Sequence, residues 1–193
     1  MNPFIYQMRG ELDKAFCSHV IDKFEKDSDK YQGFIGSNIN GKIVNLDIKQ
    51  SLDLKITHNA NWEEENKIFY NSFKSSLNKY YDHLSDNMKD IPILYGNAFY
   101  DTGYQVQKTS PGGFYTWHHD FASKAEGYRV ITVIWYLNDV IEEGYTEFMD
   151  GTRVQPELGK VLLFPSTWNF VHRGFPPKSE NKYICTGWLY CNL

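Results

Sequence analysis

The chain has 193 residues, enough for one domain with a sizeable core; 41% are hydrophobic and 17% aromatic. Its formal net charge is −4 and its isoelectric point about 5.9, and no block of Lys and Arg stands out, which argues against a nucleic-acid partner. No apolar run reaches the roughly eighteen residues of a membrane span, and MNPFIYQMRGELDKAF carries no apolar stretch of a secretory signal.

The three cysteines, Cys17, Cys185 and Cys191, have no paired or metal-knuckle spacing and read as reduced thiols of a cytoplasmic protein. LDKAFCSHVIDKFEKD places Leu12, Phe16, Val20 and Phe24 at helical spacing, which predicts an amphipathic helix starting near Asp13. YQGFIGSNINGKIVNLDIKQSLDLKI is rich in Gly and Asn and reads as loops with one or two short strands. NWEEENKIFYNSFKSSLNKYYDHLSDN gives the clearest helix. Glu63, Glu64 and Glu65 suit its N-terminus, and Trp62, Phe69, Phe73, Leu77, Tyr80 and Leu84 form its apolar stripe.

From about Ile93 the pattern changes to short β-branched and aromatic runs separated by turn residues: AFYDTGYQVQKT, FYTWHHD, RVITVIWYL, TEFM, KVLLFP and KYICTGWLY. Strands at this spacing indicate a sandwich or barrel. The expectation is a mainly β, α+β chain: a single domain over residues 1–193, with helices and short strands in 1–92 supporting a β-barrel in 93–193.

Within GGFYTWHHDF, an extended backbone puts His118 and Asp120 on one face, about 6–7 Å apart, and His119 on the other. One imidazole and one carboxylate on one face can grip a metal if a third ligand arrives from elsewhere. His172 is the only histidine after Asp120. Two histidines and one carboxylate leave open positions and suit non-haem Fe(II). The alternative is that His118 and His119 lie on the surface and His172 in a loop; an H-x-D alone does not choose. Lys182 adds weight. It heads the face of KYICTGWLY that carries Ile184, Thr186 and Trp188, and no acidic residue of that run shares the face. A lysine there either snorkels to solvent or meets a carboxylate that is not its own.

Four segments in order resemble the 2-oxoglutarate/Fe(II)-dependent oxygenases, in their prolyl 4-hydroxylase-like branch: YQVQKTSPGGFYTWHHD, RVITVIWYLNDVIEEGYTEF, LGKVLLFPSTWNFVHRG and KYICTGW. The QKTSPGG variant is most similar to members from tailed phages and marine bacteria. The resemblance implies a double-stranded β-helix, the jelly-roll or cupin-like barrel, buttressed by the N-terminal helices. It implies that His118, Asp120 and His172 hold Fe(II), and that Lys182 and Thr146 meet the far carboxylate of 2-oxoglutarate. It also implies that Tyr115, Arg129 and Trp188 line the substrate side, with a proline ring between Tyr115 and Trp188. Two departures stand out: Tyr145 replaces a usual glycine, and Thr109 occupies the co-substrate position where many relatives have a tyrosine.

The implied reaction consumes O₂, turns 2-oxoglutarate into succinate and CO₂, and hydroxylates an unactivated C–H bond, with ascorbate as reductant. The expected substrate is a prolyl residue of a peptide or protein. Rival readings are the same chemistry on a free amino acid or small metabolite, a cupin-like metal isomerase or hydrolase, and a non-catalytic metal-binding module.

Overall fold

The computed structural model describes residues 2–38, 41–88, 99–124 and 127–191. In chain order the first elements are β1 (Tyr6–Met8), α1 (Lys14–Lys26), β2 (Tyr31–Gln32), β3 (Gly36–Asn38), β4 (Gly41–Ile43), β5 (Leu52–Lys55) and α2 (Glu63–Asn87). Then come β6 (Phe99–Thr109), β7 (Tyr115–His118), β8 (Ser123–Lys124), β9 (Gly127–Tyr136) and β10 (Thr146–Phe148). The last are β11 (Arg153–Val154), β12 (Val161–Pro165), β13 (His172–Gly174) and β14 (Lys182–Cys191). Asp13 caps α1 by accepting the Phe16 amide at 2.8 Å, which removes one of the orphan donors of a helix start. Three glutamates fill the first turn of α2, where the helix dipole favours them.

The strands form an antiparallel sheet in the order β1-β12-β9-β14-β6-β5-β2, with β8 on the edge of β9. A smaller antiparallel sheet runs β11-β10-β13-β7, and β3-β4 is a separate hairpin. Strand alternation gives the large sheet two different faces. Val133, Trp135, Val161, Leu163, Cys185, Tyr104 and Val106 pack against Val20 and Phe24 of α1 and Phe69, Phe73 and Leu84 of α2. Trp135 is the hub, with ring centroids 5.2 Å from Phe69 and 5.6 Å from Tyr104. The opposite parity, Ile134, Tyr136, Leu162 and Phe164, packs against Phe148 and Val154 of the small sheet. The site lies on this second face. One seam joins the sheets beside it: Ile48 accepts the Thr116 amide at 2.9 Å, and Gln50 donates to Phe114 at 2.7 Å. The segment before β5 thus pairs with β7.

The two expected helices and the C-terminal strand runs are present. Four short strands, β2 to β5, stand where one or two were expected; strands of two to four residues are too brief to show alternation. The edge strand β1 was not anticipated, and His172 opens the three-residue strand β13 rather than lying in a loop, as the alternative reading had it. The expected boundary at 92/93 lies outside the described residues. Among the described residues, no helix is long and apolar enough to cross a membrane.

Candidate metal centre and its cavity

β7 and β13 are neighbours in the small sheet, and His118 and His172 are cross-strand partners. Their rings lie 4.3 Å apart between centroids. β7 ends at His118, so regular alternation does not extend to Asp120. That carboxylate is fixed instead by the Thr132 hydroxyl, which donates to Oδ2 at 2.8 Å and lies 2.9 Å from the Ser166 hydroxyl. His118 Nε2 is 3.7 Å from Asp120 Oδ1, and His172 Nε2 is 3.8 Å from Asp120 Oδ2. One donor atom from each of the three residues falls within 4.8 Å of the others. His119 is exposed.

This donor set fits a divalent ion. Nδ1 of His118 lies 2.8 Å from the Thr116 carbonyl, and Nδ1 of His172 lies 3.0 Å from the Phe170 carbonyl. A carbonyl only accepts, so each Nδ1 carries the proton and each Nε2 turns a lone pair to the centre. The nitrogen–carboxylate gaps are too long for hydrogen bonds. Two ligands each about 2.1 Å from one ion lie roughly 3 Å apart or slightly more. Burial first, then the adjacent His172, pushes the His118 imidazole down to about 3, so it is neutral and free to ligate. Burial alone would raise Asp120, but His172, His118, the Thr132 hydroxyl and Arg129 outweigh it and hold the carboxyl below its ordinary value. The set is three donors; no fourth joins it among the described residues.

The three donors open into a cavity of about 660 Å³ that also takes in Lys182, Thr146, Thr109, Tyr115, Arg129 and Trp188. Lys182 is 4% exposed, and its Nζ donates to the Gly144 carbonyl at 2.8 Å. No carboxylate pairs with it among the described residues, and burial pushes its pKa down to about 8. Thr146 is buried and accepts from the Tyr136 hydroxyl at 2.7 Å. Thr109 faces Lys182 across the β6–β14 ladder. On the other side, the Tyr115 ring stacks on His118 at 3.5 Å, and burial, with Asp120 and Asp53, pushes its phenol up to about 12. The Arg129 guanidinium lies 3.8 Å over the Trp188 ring and donates to the Tyr190 hydroxyl at 2.8 Å. One face each of Tyr115 and Trp188 is therefore covered by the protein's own groups.

Three features of this cavity carried no expectation. Thr132 and Ser166 steady Asp120; a threonine in the apolar run RVITVIWYL was the available signal. Tyr136 brings a phenol behind Thr146, at the end where Thr109 supplies none. Lys49 and Asp53 form an ion pair at 2.7 Å on the cavity wall; their segment read as loops with one or two short strands, and nothing in its pattern marks them.

A family model described as the 2OG-Fe(II) oxygenase superfamily matches residues 104–190. An Acanthamoeba polyphaga mimivirus protein, provisionally named a prolyl 4-hydroxylase, is 23% identical over 170 residues, covering 78% of this chain and 65% of that protein. Prolyl 4-hydroxylase 1 of Arabidopsis thaliana is 31% identical over 111 residues, covering 44% of this chain and 39% of that protein. The chain thus spans less than two thirds of the length of these curated relatives. Among solved structures, a viral collagen prolyl hydroxylase from Paramecium Bursaria Chlorella virus-1 superposes with a TM-score of 0.67 at 18% identity, covering 98% of this chain and 97% of that one. A Trichoplax adhaerens prolyl hydroxylase, solved with a hypoxia inducible factor peptide fragment, gives 0.72 at 16% identity, covering 98% and 84%. At these identities the likeness shows a shared fold.

Proposed function

We propose that this chain, whose residues 104–190 match a family model described as the 2OG-Fe(II) oxygenase superfamily, is an Fe(II)- and 2-oxoglutarate-dependent dioxygenase that hydroxylates a prolyl residue of a peptide or protein. The observation that carries this reading is the pairing, in one cavity, of a three-donor cluster with a buried ammonium that has no acid partner among the described residues. The cluster has the composition that leaves ion positions open for a co-substrate and O₂. The ammonium calls for an anion brought from outside.

In this reading His118, Asp120 and His172 hold the iron, which when bound supplies the O₂ chemistry that no side chain provides. Lys182 and Thr146 take the far carboxylate of 2-oxoglutarate, with Thr109 beside them. The two sheets, closed at the Ile48–Gln50 seam, form a double-stranded β-helix that shields the reacting atoms from water. Tyr115, Arg129 and Trp188 face the substrate, and ascorbate serves as reductant. The peptide substrate rests on the prolyl hydroxylases among the relatives and on the one solved with a peptide fragment.

One observation favours a second reading, a free amino acid or small metabolite. Among the described residues, Arg129 has no carboxylate bridge of its own, and a guanidinium binds a free carboxylate as readily as a peptide carbonyl. The test is to incubate the protein with Fe(II), 2-oxoglutarate and ascorbate, and either a proline-rich peptide library or free L-proline, reading one-oxygen mass gains alongside succinate. Succinate with oxidation of free L-proline alone selects the second reading. No succinate from metal-replete protein with either substrate sinks the dioxygenase assignment.

A further inference from the structure

The cavity wall holds a second buried ammonium, away from Lys182. Lys49 is 4% exposed and Asp53 1%. The remaining Asp53 oxygen accepts from the Ser51 hydroxyl at 2.8 Å. Gly33 closes the back of this group: a Cβ there would lie 2.3 Å from Ser51 Oγ and 2.9 Å from Lys49 Cε. On the open side, Lys49 Nζ is 5.2 Å from the centre of the Tyr115 ring, which stacks on His118. The pair therefore borders the substrate side of the candidate metal centre.

A buried ion pair is a weak stabiliser, because desolvating two ions largely cancels their attraction. Its unused capacity is more telling. An ammonium has three donors, and among the described residues Lys49 Nζ spends one in a hydrogen bond, on Asp53. With Gly33 packed behind, the others have the cavity to serve. Charge then selects the ligand. Among the described residues Lys182 has no counterion, so it suits an anion. Lys49 already has one, and a second carboxylate would meet Asp53 at close range, where like charges repel. A neutral carbonyl meets no such penalty.

We propose that Lys49, held by Asp53, is a substrate-binding subsite for an uncharged main-chain carbonyl flanking the reacting residue, beside Tyr115. This rests on the dioxygenase reading and names its substrate as a peptide segment rather than a free amino acid.

The probe is a proline-rich peptide capped at both ends. Its KM is measured for wild type, Lys49→Met and Asp53→Asn, together with the same peptide bearing a free C-terminal carboxylate. Lys49→Met is expected to raise the capped-peptide KM about 10- to 100-fold, the worth of one hydrogen bond to a charged donor, with a much smaller change in kcat. Asp53→Asn strips the counterion and should shift preference toward the free-acid peptide. Should Lys49→Met not fold, the Asp53→Asn preference decides alone. An unchanged KM in folded Lys49→Met, or an unchanged preference in Asp53→Asn, overturns the subsite while leaving the dioxygenase reading intact. Wild type that oxidises only free L-proline overturns the subsite and the peptide substrate together. Wild type that forms no succinate at all removes the dioxygenase reading on which the subsite stands.

Discussion

Lys182→Met separates the proposed role of this lysine from a structural one, because the two predict opposite signs. The free protein holds the ammonium at a cost. A fall in pKa from 10.5 to about 8 is worth about 3 kcal/mol, taking 1.36 kcal/mol per pH unit. The group is buried, so solvent screening does not dissolve this figure. The folded pKa lies below the unfolded one. Between pH 8 and 10.5 the unfolded chain therefore binds a proton the native protein has released, and stability rises with pH across that window. Below pH 8 the penalty is fully present. Methionine fills similar space without charge and loses one hydrogen bond to the Gly144 carbonyl, so metal-free Lys182→Met at pH 7 should melt no lower than wild type.

Co-substrate binding should move the other way. Losing one partner of a desolvated charge pair costs roughly 2–5 kcal/mol, which is about 30-fold to several thousandfold in 2-oxoglutarate affinity at 1.4 kcal/mol per tenfold. A 2-oxo acid without the far carboxylate should lose far less. In wild type, 2-oxoglutarate affinity should be highest below pH 8 and fall above it, with a proton taken up on binding; calorimetry in buffers of different ionisation enthalpy reads that proton directly. If Lys182→Met binds 2-oxoglutarate as tightly as wild type, the pairing argument is refuted.

Three further outcomes follow from the geometry. His118→Ala and His172→Ala should abolish succinate formation and release the divalent ion, whereas exposed His119→Ala should retain most activity; equal losses in all three, measured by metal content and succinate, would contradict the donor assignment. Thr132→Val removes the hydroxyl that steadies Asp120 and should weaken metal binding about 10- to 100-fold, read by competition with a chelating dye. Arg129→Ala should raise KM for a capped proline peptide; unchanged peptide turnover with loss of free-proline turnover would favour the small-molecule reading.

The sequence carried more of the deep site than of its rim, for physical reasons. Both helices were legible because apolar residues repeat with the helical period, Phe16, Val20 and Phe24 in the 13 residues of α1 and Phe69, Phe73, Tyr80 and Leu84 in the 25 of α2. Strands β6, β9 and β14 were legible because they are long, ten or eleven residues, and their β-branched and aromatic runs stand out between turn residues. The three donors were named from residue type and order, but the stated reason was incomplete: β7 stops at His118, and Thr132, twelve residues on, places Asp120. Lys49 and Asp53 were invisible because their partners, Gly33 and Tyr115, come from segments that the fold, and no local period, brings together. β13 was not named from the sequence because its three residues are too few to show a period, and its pairing with β7 exists only in the tertiary structure.

The charges of the cavity make one further demand. On the proposed assignment, the deep end holds the Asp120 anion and the Lys182 cation, which leaves no net charge before anything binds. The Lys49–Asp53 pair is neutral by itself, and Arg129 sits on the aromatic wall over Trp188. A divalent ion alone adds two positive charges to a desolvated space, and 2-oxoglutarate alone adds two negative ones. Bound together they cancel. Each should therefore strengthen the other's binding, and linkage requires the same factor in both directions. Coupling of about 1–3 kcal/mol corresponds to roughly 5- to 150-fold. The measurement uses a redox-inert divalent ion such as Zn(II), with 2-oxoglutarate titrated by calorimetry in its presence and absence, and the ion titrated with and without 2-oxoglutarate. A co-substrate that binds equally well to ion-free protein would show that the ion and the dianion do not share one desolvated site.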